Sequence, residues 1–519
     1  MTFLVTTREA RAMDADASQR LAIPSHELME RAGASSAALL IERFPDSLAR
    51  VCVVGGLGQN GGDAWVVARH LAERGIPTTC AIVGAREKIS GDAKPNFDAL
   101  EARRIPVVDV RVDADLARLE ELLARATAIV DGLFGIGLDR PIEGVFAGAI
   151  ARLNAAAAPV MALDVPSGVD ADTGAIRGCA VEADLTATFG AAKRGLHQAP
   201  ARAYAGRIVV VPIGVEVPTS CKTTLVDEAF VRSTLGRRAP DTHKGDAGRV
   251  LVVAGSEGHT GAAILSSRAA LRAGAGLVTI SPRPSGFAAV EAKVVEAMTL
   301  RHAEAPADAA KQLNEFASRC DAAVVGPGLS LDDTSVTLAR TLALSLEVPT
   351  VLDADALTAF ADDAALLKNA LGPRVLTPHP GEAARLLQRT VADVQRDRFA
   401  SAQELAALTS HVVVLKGACT VVASPDGALA VCDRGTPALA TGGTGDVLTG
   451  ILAAMLCHAS PFPACQLATW VHAVAGEVAA IGDRGLLARE VADAVPRVLE
   501  AALARRSAAA SAAKRPQAR

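Results

Sequence analysis

The sequence predicts an α/β protein of two domains, each built on a mostly parallel sheet covered by helices. Three observations predict it. Short apolar, β-branched runs recur along the 519 residues with helical patterns between them, and strands that are apolar from end to end belong to sheets buried on both faces. The length exceeds what one core normally organises. A polar stretch without a sheet pattern, VEVPTSCKTTLVD (215–227), divides the series of runs into two halves.

The first-half strand candidates are VCVVGG (51–56), TTCAIVG (78–84), TAIVDGLFG (127–135), PVMALDVPSG (159–168), LTATFG (185–190) and RIVVVPIG (207–214). The second half repeats the style in GRVLVVAGS (248–256), GLVTISP (276–282), AAVVGPG (322–328), PTVLDADAL (349–357), RVLTPHPGE (374–382) and HVVVLKGACTVVAS (411–424). The last of these, followed by GALAVC, reads as an antiparallel hairpin. The boundary falls near 218–228, giving domains over 1–218 and 226–503. The small, basic tail ARRSAAASAAKRPQAR (504–519) is expected to be disordered. The sequence holds no short internal repeat of fixed period.

Half of the residues are hydrophobic, the formal net charge is −4, and aromatic residues make up 3%. That balance argues against nucleic acid as the main partner, which needs a basic face and stacking rings. Nine cysteines, odd in number and without a C-x-x-C pair, read as free thiols in a reducing compartment. MTFLVTTREARAMDADAS carries acids early and has no long apolar core, unlike a secretory signal. The uncharged stretch from Val447 to Gly476 is cut by Ser460-Pro461-Phe462-Pro463, and each piece is too short to span a bilayer. A cytoplasmic protein with no membrane partner is expected.

GGLGQNGGDAWVVARHLAERG (55–75) contains a G-x-G-x-x-G match at Gly56, Gly58 and Gly61, placed between a strand and a helix. Two features oppose an ordinary nicotinamide-oxidoreductase reading. Asp63 lies in the first helical turn, where a pyrophosphate would be repelled. The second strand, ending near Gly84, offers no acid for a ribose hydroxyl. Asn60, Gly61, Gly62 and Asp63 nevertheless sit at a strand's carboxyl end, as do Asp131 in IVDGLFGIG and Asp164 in LDVPSGVD. Small molecules bind at those ends of open α/β sheets. Asn60, Asp131 and Ser167 are hard oxygen donors that suit a hard cation; each, taken singly, could instead cap a turn.

QNGGDA, VDGLFGIGLDRPIEG and ALDVPSGVDADTG resemble the N-terminal domain of the bifunctional NAD(P)H-hydrate repair enzymes, a Rossmann-like doubly wound NAD(P)HX epimerase. The resemblance runs from Thr7 in TREARAMD to Gly214. It implies that hydrated NAD(P)H (NAD(P)HX) meets Gln59, Asn60, Gly61, Gly62 and Asp63, and Gly135, Ile136, Gly137, Leu138, Asp139, Arg140 and Pro141. It further implies K⁺ on Asn60, Asp131 and Ser167, and a substrate-contacting catalytic acid at Asp164. Two positions depart from the family pattern. Ala64 stands where glycine is usual, and MERAG (29–33) replaces MENAG, placing Arg31 near the helix of the family's dimer contact. A homo-oligomer is expected.

GTPALATGGTGDVLTG (435–450) runs into Val447, Leu448, Ile451, Leu452, Met455 and Leu456, which follow a helical period. A helix starting around Gly445 would turn its free N–H groups and positive dipole end toward the TGGTG turn, an anion cradle suited to phosphate. Asp446 is either a dipole partner or a base for phosphoryl transfer. G-K-S/T is absent, so this is no P-loop. TGGTGDVLTG resembles the anion hole of ribokinase-like kinases. TPHPGE (377–382) resembles their N-x-x-E segment, with His379 replacing asparagine and Glu382 kept to orient water around Mg²⁺.

HKGDAGRVLVVAGSEGHTGAAILSSRAALRAGAGLVTI (243–280), GPGLS (326–330), LDADAL (352–357) and VLKGACTVV (414–422) extend the likeness. They resemble, in order, the ribokinase-like α/β/α ADP-dependent NAD(P)HX dehydratase domain of the same family, over Val226 to Val498. It implies that Ala262, Gly328, His379 and Asp446 meet hydrated NAD(P)H. Lys416, Gly417, Ala418, Cys419 and Thr420, with Gly445, would meet ADP. His259 stands where tyrosine is usual and Ser330 where glycine is usual. The implied function is epimerisation of R and S NAD(P)HX and dehydration of the S epimer, with ADP as co-substrate becoming AMP and phosphate. K⁺ and Mg²⁺ are the implied ions, and Asp164 and Asp446 the catalytic residues. The alternatives are a ribokinase-like kinase for a vitamin precursor with an accessory Rossmann-like domain, and a nucleotide-binding regulatory protein.

Overall fold

The structure, a computed structural model, describes residues 2–513. The chain forms two compact units, one from Phe3 to Thr223 and one from Thr224 onward. The first unit contains β1 (Thr2–Val5), β2 (Val51–Gly55), β3 (Thr78–Val83), β4 (Val107–Val110), β5 (Ala128–Gly132), β6 (Val160–Leu163), β7 (Leu185–Phe189), β8 (Ala192–Lys193) and β9 (Arg207–Val211). Seven of them form a sheet in the order β4-β3-β2-β5-β6-β7-β9, parallel throughout. β1 and β8 form a parallel pair outside that seven-stranded sheet, with Val5 opposite Lys193.

Successive residues of a strand face opposite ways, and here both faces are buried. Val51 and Val53 join Cys80, Ile82, Ala128 and Val130 in one core. Cys52 and Val54 join Ala81, Val83 and Ile129 in the other. This explains the unbroken apolar runs. β4 lacks such a run because only Val110 of its four residues is fully buried. The chain winds from β2 outward to β4 and then returns to β5 on the other side of β2. That reversal opens a crevice at the carboxyl ends of β2 and β5.

β10 (Thr223–Leu225) carries the chain into the second unit, which holds β11 (Arg249–Val253), β12 (Leu277–Ile280), β13 (Met298–Thr299), β14 (Ala322–Val325), β15 (Thr350–Leu352), β16 (Arg374–Leu376), β17 (Val412–Leu415), β18 (Thr420–Ala423) and β19 (Leu429–Cys432). The order is β13-β12-β11-β14-β15-β16-β17-β18-β19, parallel through β17 and antiparallel beyond it. The run 411–424 is therefore two strands rather than one. A turn with Gly417 at φ 139° and Cys419 at φ 56° folds it back on itself. Val250, Val252, Val324 and Val351 pack with Val447, Ile451 and Leu452 on one side. Leu251, Val253, Val325 and Leu352, the alternate residues, are equally buried.

The uncharged region forms two helices, Thr444–Leu456 and Pro461–Ala479. No helix among the described residues is long and apolar enough to cross a membrane. The helix Ala488–Ala513 takes in the start of the tail expected to be disordered; its alanines are the strongest helix formers. The rest of that tail, 514–519, lies outside the described residues.

Candidate active sites

The loop after β2 leads straight into the helix Gln59–Glu73, so Asn60, Gly61, Gly62 and Asp63 occupy its first turns. Glycine is required at 61 by close approach: a Cβ there would lie 2.1 Å from the Gly56 carbonyl oxygen. Asn60 Nδ2 donates to the Phe134 carbonyl at 2.9 Å, while its Oδ1 is buried with no hydrogen-bond partner. Asp131, on β5, is fully buried. Its carboxylate accepts from the Ser167 hydroxyl at 2.7 Å, the Ser167 N–H at 2.9 Å and the Leu133 N–H at 3.1 Å. The Phe134 N–H donates to the Ser167 hydroxyl at 2.8 Å. Burial pushes the Asp131 carboxyl up to about 6, against the pull of those bonds.

Asn60, Asp131 and Ser167 thus form one buried oxygen-rich constellation. The orphaned Asn60 Oδ1 is what a hard cation would satisfy, and the donor set suits K⁺. Ala64 is accommodated because it packs on Gly132, where a Cβ would come within 2.6 Å of the Ala64 methyl. Arg31 is paired with Glu27 at 2.5 Å and donates to the Ile213 carbonyl at 3.3 Å.

Beside this constellation lies a cavity of about 810 Å³ lined by Gln59, Asn60, Asp63, Gly135, Ile136, Gly137, Leu138, Asp139, Arg140 and Asp164. Gly61, Gly62 and Pro141 are not among its lining residues. Asp164 follows β6 in a left-handed conformation, φ 62°. Its carboxylate accepts from the Phe189 N–H at 3.2 Å and from the Lys193 ammonium. Asp14 and Lys193 line the same cavity. Burial first, then the charges of Asp164 and Asp14, push the Asp63 carboxyl well above its usual range. Burial likewise raises Asp14.

In the second unit the helix Thr444–Leu456 starts one residue earlier than its sequence suggests, after Gly443 at φ 92°. Asp446 lies in its first turn. Burial, then the Asp353 charge, pushes the Asp446 carboxyl up to about 7, with Lys416 opposing. Asp353 follows β15 and gathers a network. It accepts from the Lys416 ammonium at 2.6 Å, the Thr377 hydroxyl at 2.8 Å and the Thr449 hydroxyl at 2.9 Å. Glu382 stands 3.7 Å from the Lys416 ammonium and is pushed up to about 7, by burial first and Asp353 next. Burial alone would lower Lys416, but Asp353 and Glu382 hold it above its ordinary value.

His379 and Glu382 form a capping box on the helix Pro380–Leu386. His379 Nδ1 accepts from the Gly381 and Glu382 N–H groups, and Glu382 accepts from the His379 N–H at 2.7 Å. Gly445 is close to the cluster, since a Cβ there would be 3.7 Å from the Lys416 ammonium. Gly328 and Ala262 are neighbours, with 3.2 Å between a Cβ built on the first and the Ala262 methyl. Gly417, Ala418 and Cys419 make the turn into β18, closed by a 3.0 Å bond from the Thr420 hydroxyl to the Gly417 carbonyl. Arg398, buried, braces this turn through the Leu415 and Lys416 carbonyls at 3.0 and 3.2 Å.

Asp446, Asp353 and Glu382 with one ammonium leave a surplus of hard oxygen donors suited to Mg²⁺. Among the described residues no group of three or more His, Cys, Asp or Glu could hold a metal by itself, and Mg²⁺ usually keeps much of its water shell.

Lys193, Asp14 and Asp353 escaped the sequence reading. Asp353 ends an apolar strand in a carboxylate, as Asp131 and Asp164 do, and that signal could have found it. Asp14 sits in TREARAMD with nothing local to single it out. Lys193 follows the apolar run LTATFG, and only the tertiary pairing of β8 shows that it is buried.

Fold and sites together define an α/β protein with a carboxyl-lined cavity in one unit and a charged helix-start cluster in the other. Residues 25–195 match the family model described as YjeF-related protein N-terminus, and 250–497 the one described as NAD(P)H-hydrate dehydratase. The chain is 40% identical over 514 residues to the bifunctional NAD(P)H-hydrate repair enzyme of Moorella thermoacetica, covering 96% of each chain. It is 38% identical to that of Coxiella burnetii, covering 95% of this chain and 98% of the relative. Among solved structures it is similar to the ADP/ATP-dependent NAD(P)H-hydrate dehydratase of Bacillus subtilis co-crystallised with ATP/Mg²⁺, at 34% identity. That match covers 54% of this chain and 98% of the other, with a TM-score of 0.47. The chain belongs to the family of bifunctional NAD(P)H-hydrate repair enzymes.

Proposed function

We propose that this chain repairs hydrated NAD(P)H in two steps, epimerising R and S NAD(P)HX in the first unit and dehydrating the S epimer with ADP in the second. The observation that carries the second step is Asp446, raised to about 7 at the start of a helix beside an anion-cradling turn. The substrate's hydroxyl is on a carbon next to the ring nitrogen, and hydroxide leaves poorly. Asp446 takes the hydroxyl proton, and the freed oxygen attacks the terminal phosphoryl of ADP, releasing AMP. The nitrogen lone pair then expels phosphate, and loss of a ring proton completes NAD(P)H. The N–H groups of the TGGTG turn stabilise the transferring phosphoryl. Lys416 supplies positive charge at the same helix end. Glu382, through water, and the nucleotide phosphates would hold Mg²⁺, which when bound neutralises phosphate charge.

In the first unit Asp164 moves the proton of the epimerisation, and the segment Gly135 to Arg140, which lines the cavity, contacts the hydrated NAD(P)H. Asn60, Asp131 and Ser167 would hold K⁺, which when bound supplies fixed positive charge at the crevice. All nine cysteines are free, which supports a reducing, cytoplasmic setting.

Product analysis tests the proposal. Incubation with S-NADHX, ADP and Mg²⁺ is expected to give AMP, phosphate and the absorbance band of reduced nicotinamide in equal amounts. A stable phosphorylated product without that band would make the protein a small-molecule kinase instead.

A further inference from the structure

Among the described residues, the first cavity is lined by five carboxyl groups, Asp14, Asp63, Asp92, Asp139 and Asp164, and the Lys193 ammonium bonds to one of them, Asp164. Lys193 ends β8, where pairing with Val5 fixes its backbone, and its side chain is 2% exposed. Besides Asp164 it donates to the Phe189 carbonyl at 2.9 Å and the Thr188 hydroxyl at 3.2 Å. An ammonium has three protons to donate, and all three are engaged, so none is left to hand to a substrate. Both bonds made by the Asp164 carboxylate, from Lys193 and from the Phe189 N–H, fall on Oδ1. Oδ2 accepts no hydrogen bond from the described residues.

Asp63 lines the same cavity from the second turn of the helix Gln59–Glu73 and is 9% exposed. We propose that Lys193 is the positioning residue of this site, holding Asp164 by Oδ1 so that Oδ2 acts as the base, and that Asp63 is the acid that completes the inversion. This rests on the epimerase function proposed for the cavity. Burial and the neighbouring Asp164 and Asp14 charges favour the protonated form of Asp63, as an acid requires.

The step balances without any other reactant. Asp164 takes the hydroxyl proton. The O–H electron pair becomes the second bond of an aldehyde as the carbon–nitrogen bond breaks, and the pair of that bond moves to nitrogen. Asp63 gives its proton to that nitrogen. The opened aldehyde rotates about its adjacent carbon–carbon bond and presents its other face. The reverse transfers close the ring with inverted configuration and restore both carboxyl groups.

The test is the rate of epimer interconversion, followed by chromatographic separation of the two forms on the full-length chain. Wild type is measured first; its failure to interconvert epimers would defeat the epimerase function itself. Given an active wild type, Lys193→Met is expected to lower kcat about 100-fold with KM nearly unchanged, and Lys193→Arg to restore about tenfold of that loss. Asp63→Asn is expected to lower kcat about 100-fold as well. Should Lys193→Met not fold, Thr188→Val, which removes one Lys193 bond and keeps the side-chain shape, is expected to lower kcat severalfold. Unchanged kcat in whichever of these two variants folds, or a loss confined to KM, overturns the role of Lys193. Full kcat in Asp63→Asn overturns the role of Asp63.

Discussion

The two carboxylates proposed as bases, Asp164 and Asp446, are the same residue type in opposite surroundings. Asp164 is bonded directly to a buried ammonium, Lys193. Asp446 has an ammonium close by, but the Lys416 head is bonded to Asp353 at 2.6 Å. Asp446 is left to burial and to the Asp353 charge, which bring it up to about 7. The first arrangement fixes a carboxylate in place. The second leaves one poised to change protonation near neutral pH. The contrast teaches that a strand-end or helix-start aspartate is assigned its chemistry by the partner that holds it.

The sharpest way to break the contrast is Asp446→Asn. Dehydration is expected to fall by about 10³-fold or more, with ADP binding by calorimetry retained; turnover near wild type would remove Asp446 from the chemistry. Asp164→Ala is expected to stop interconversion of the epimers while dehydration of the S epimer continues, as separate assays on purified epimers would read. Asp353→Asn probes the partner rather than the base. Losing a buried pair costs roughly 3 kcal/mol, read in denaturant unfolding, and kcat for dehydration should change with it.

The pH dependence comes next. A base near 7 is protonated below that value, so dehydration is expected to drop about tenfold between pH 8 and pH 6. Glu382, also raised to about 7, belongs to the same cluster, so the limb reports the cluster rather than one residue. A flat profile across that range would contradict the poised state of Asp446. The smallest effect is Ala64→Gly. It should cost about 0.5–1 kcal/mol of helix stability and leave epimerisation near its wild-type rate, because Ala64 is already seated on Gly132.

Much of this was legible in the sequence because parallel strands buried on both faces leave unbroken apolar runs. Six such runs in the first half became strands of one sheet. β4 and β8 did not announce themselves: β4 is a half-exposed edge strand, and β8 has two residues. Asn60, Asp131, Ser167 and Asp164 could be singled out because glycine-rich turns and strand ends flank them. Lys193 could not, since its partner is 29 residues away and meets it only through tertiary folding. The local signal was sufficient for Asp446, whose place before an apolar helical run marks it. Its elevated protonation was not legible, because Asp353 and Lys416 arrive from β15 and β17.

The central claim is that one chain carries both sites, and absorbance at the reduced-nicotinamide band tests it most directly. Mixed NADHX epimers, supplied with ADP, Mg²⁺ and K⁺, are expected to be converted to NADH completely. Recovery that stops at the S epimer's share of the mixture, with no further rise on long incubation, would contradict an active first site.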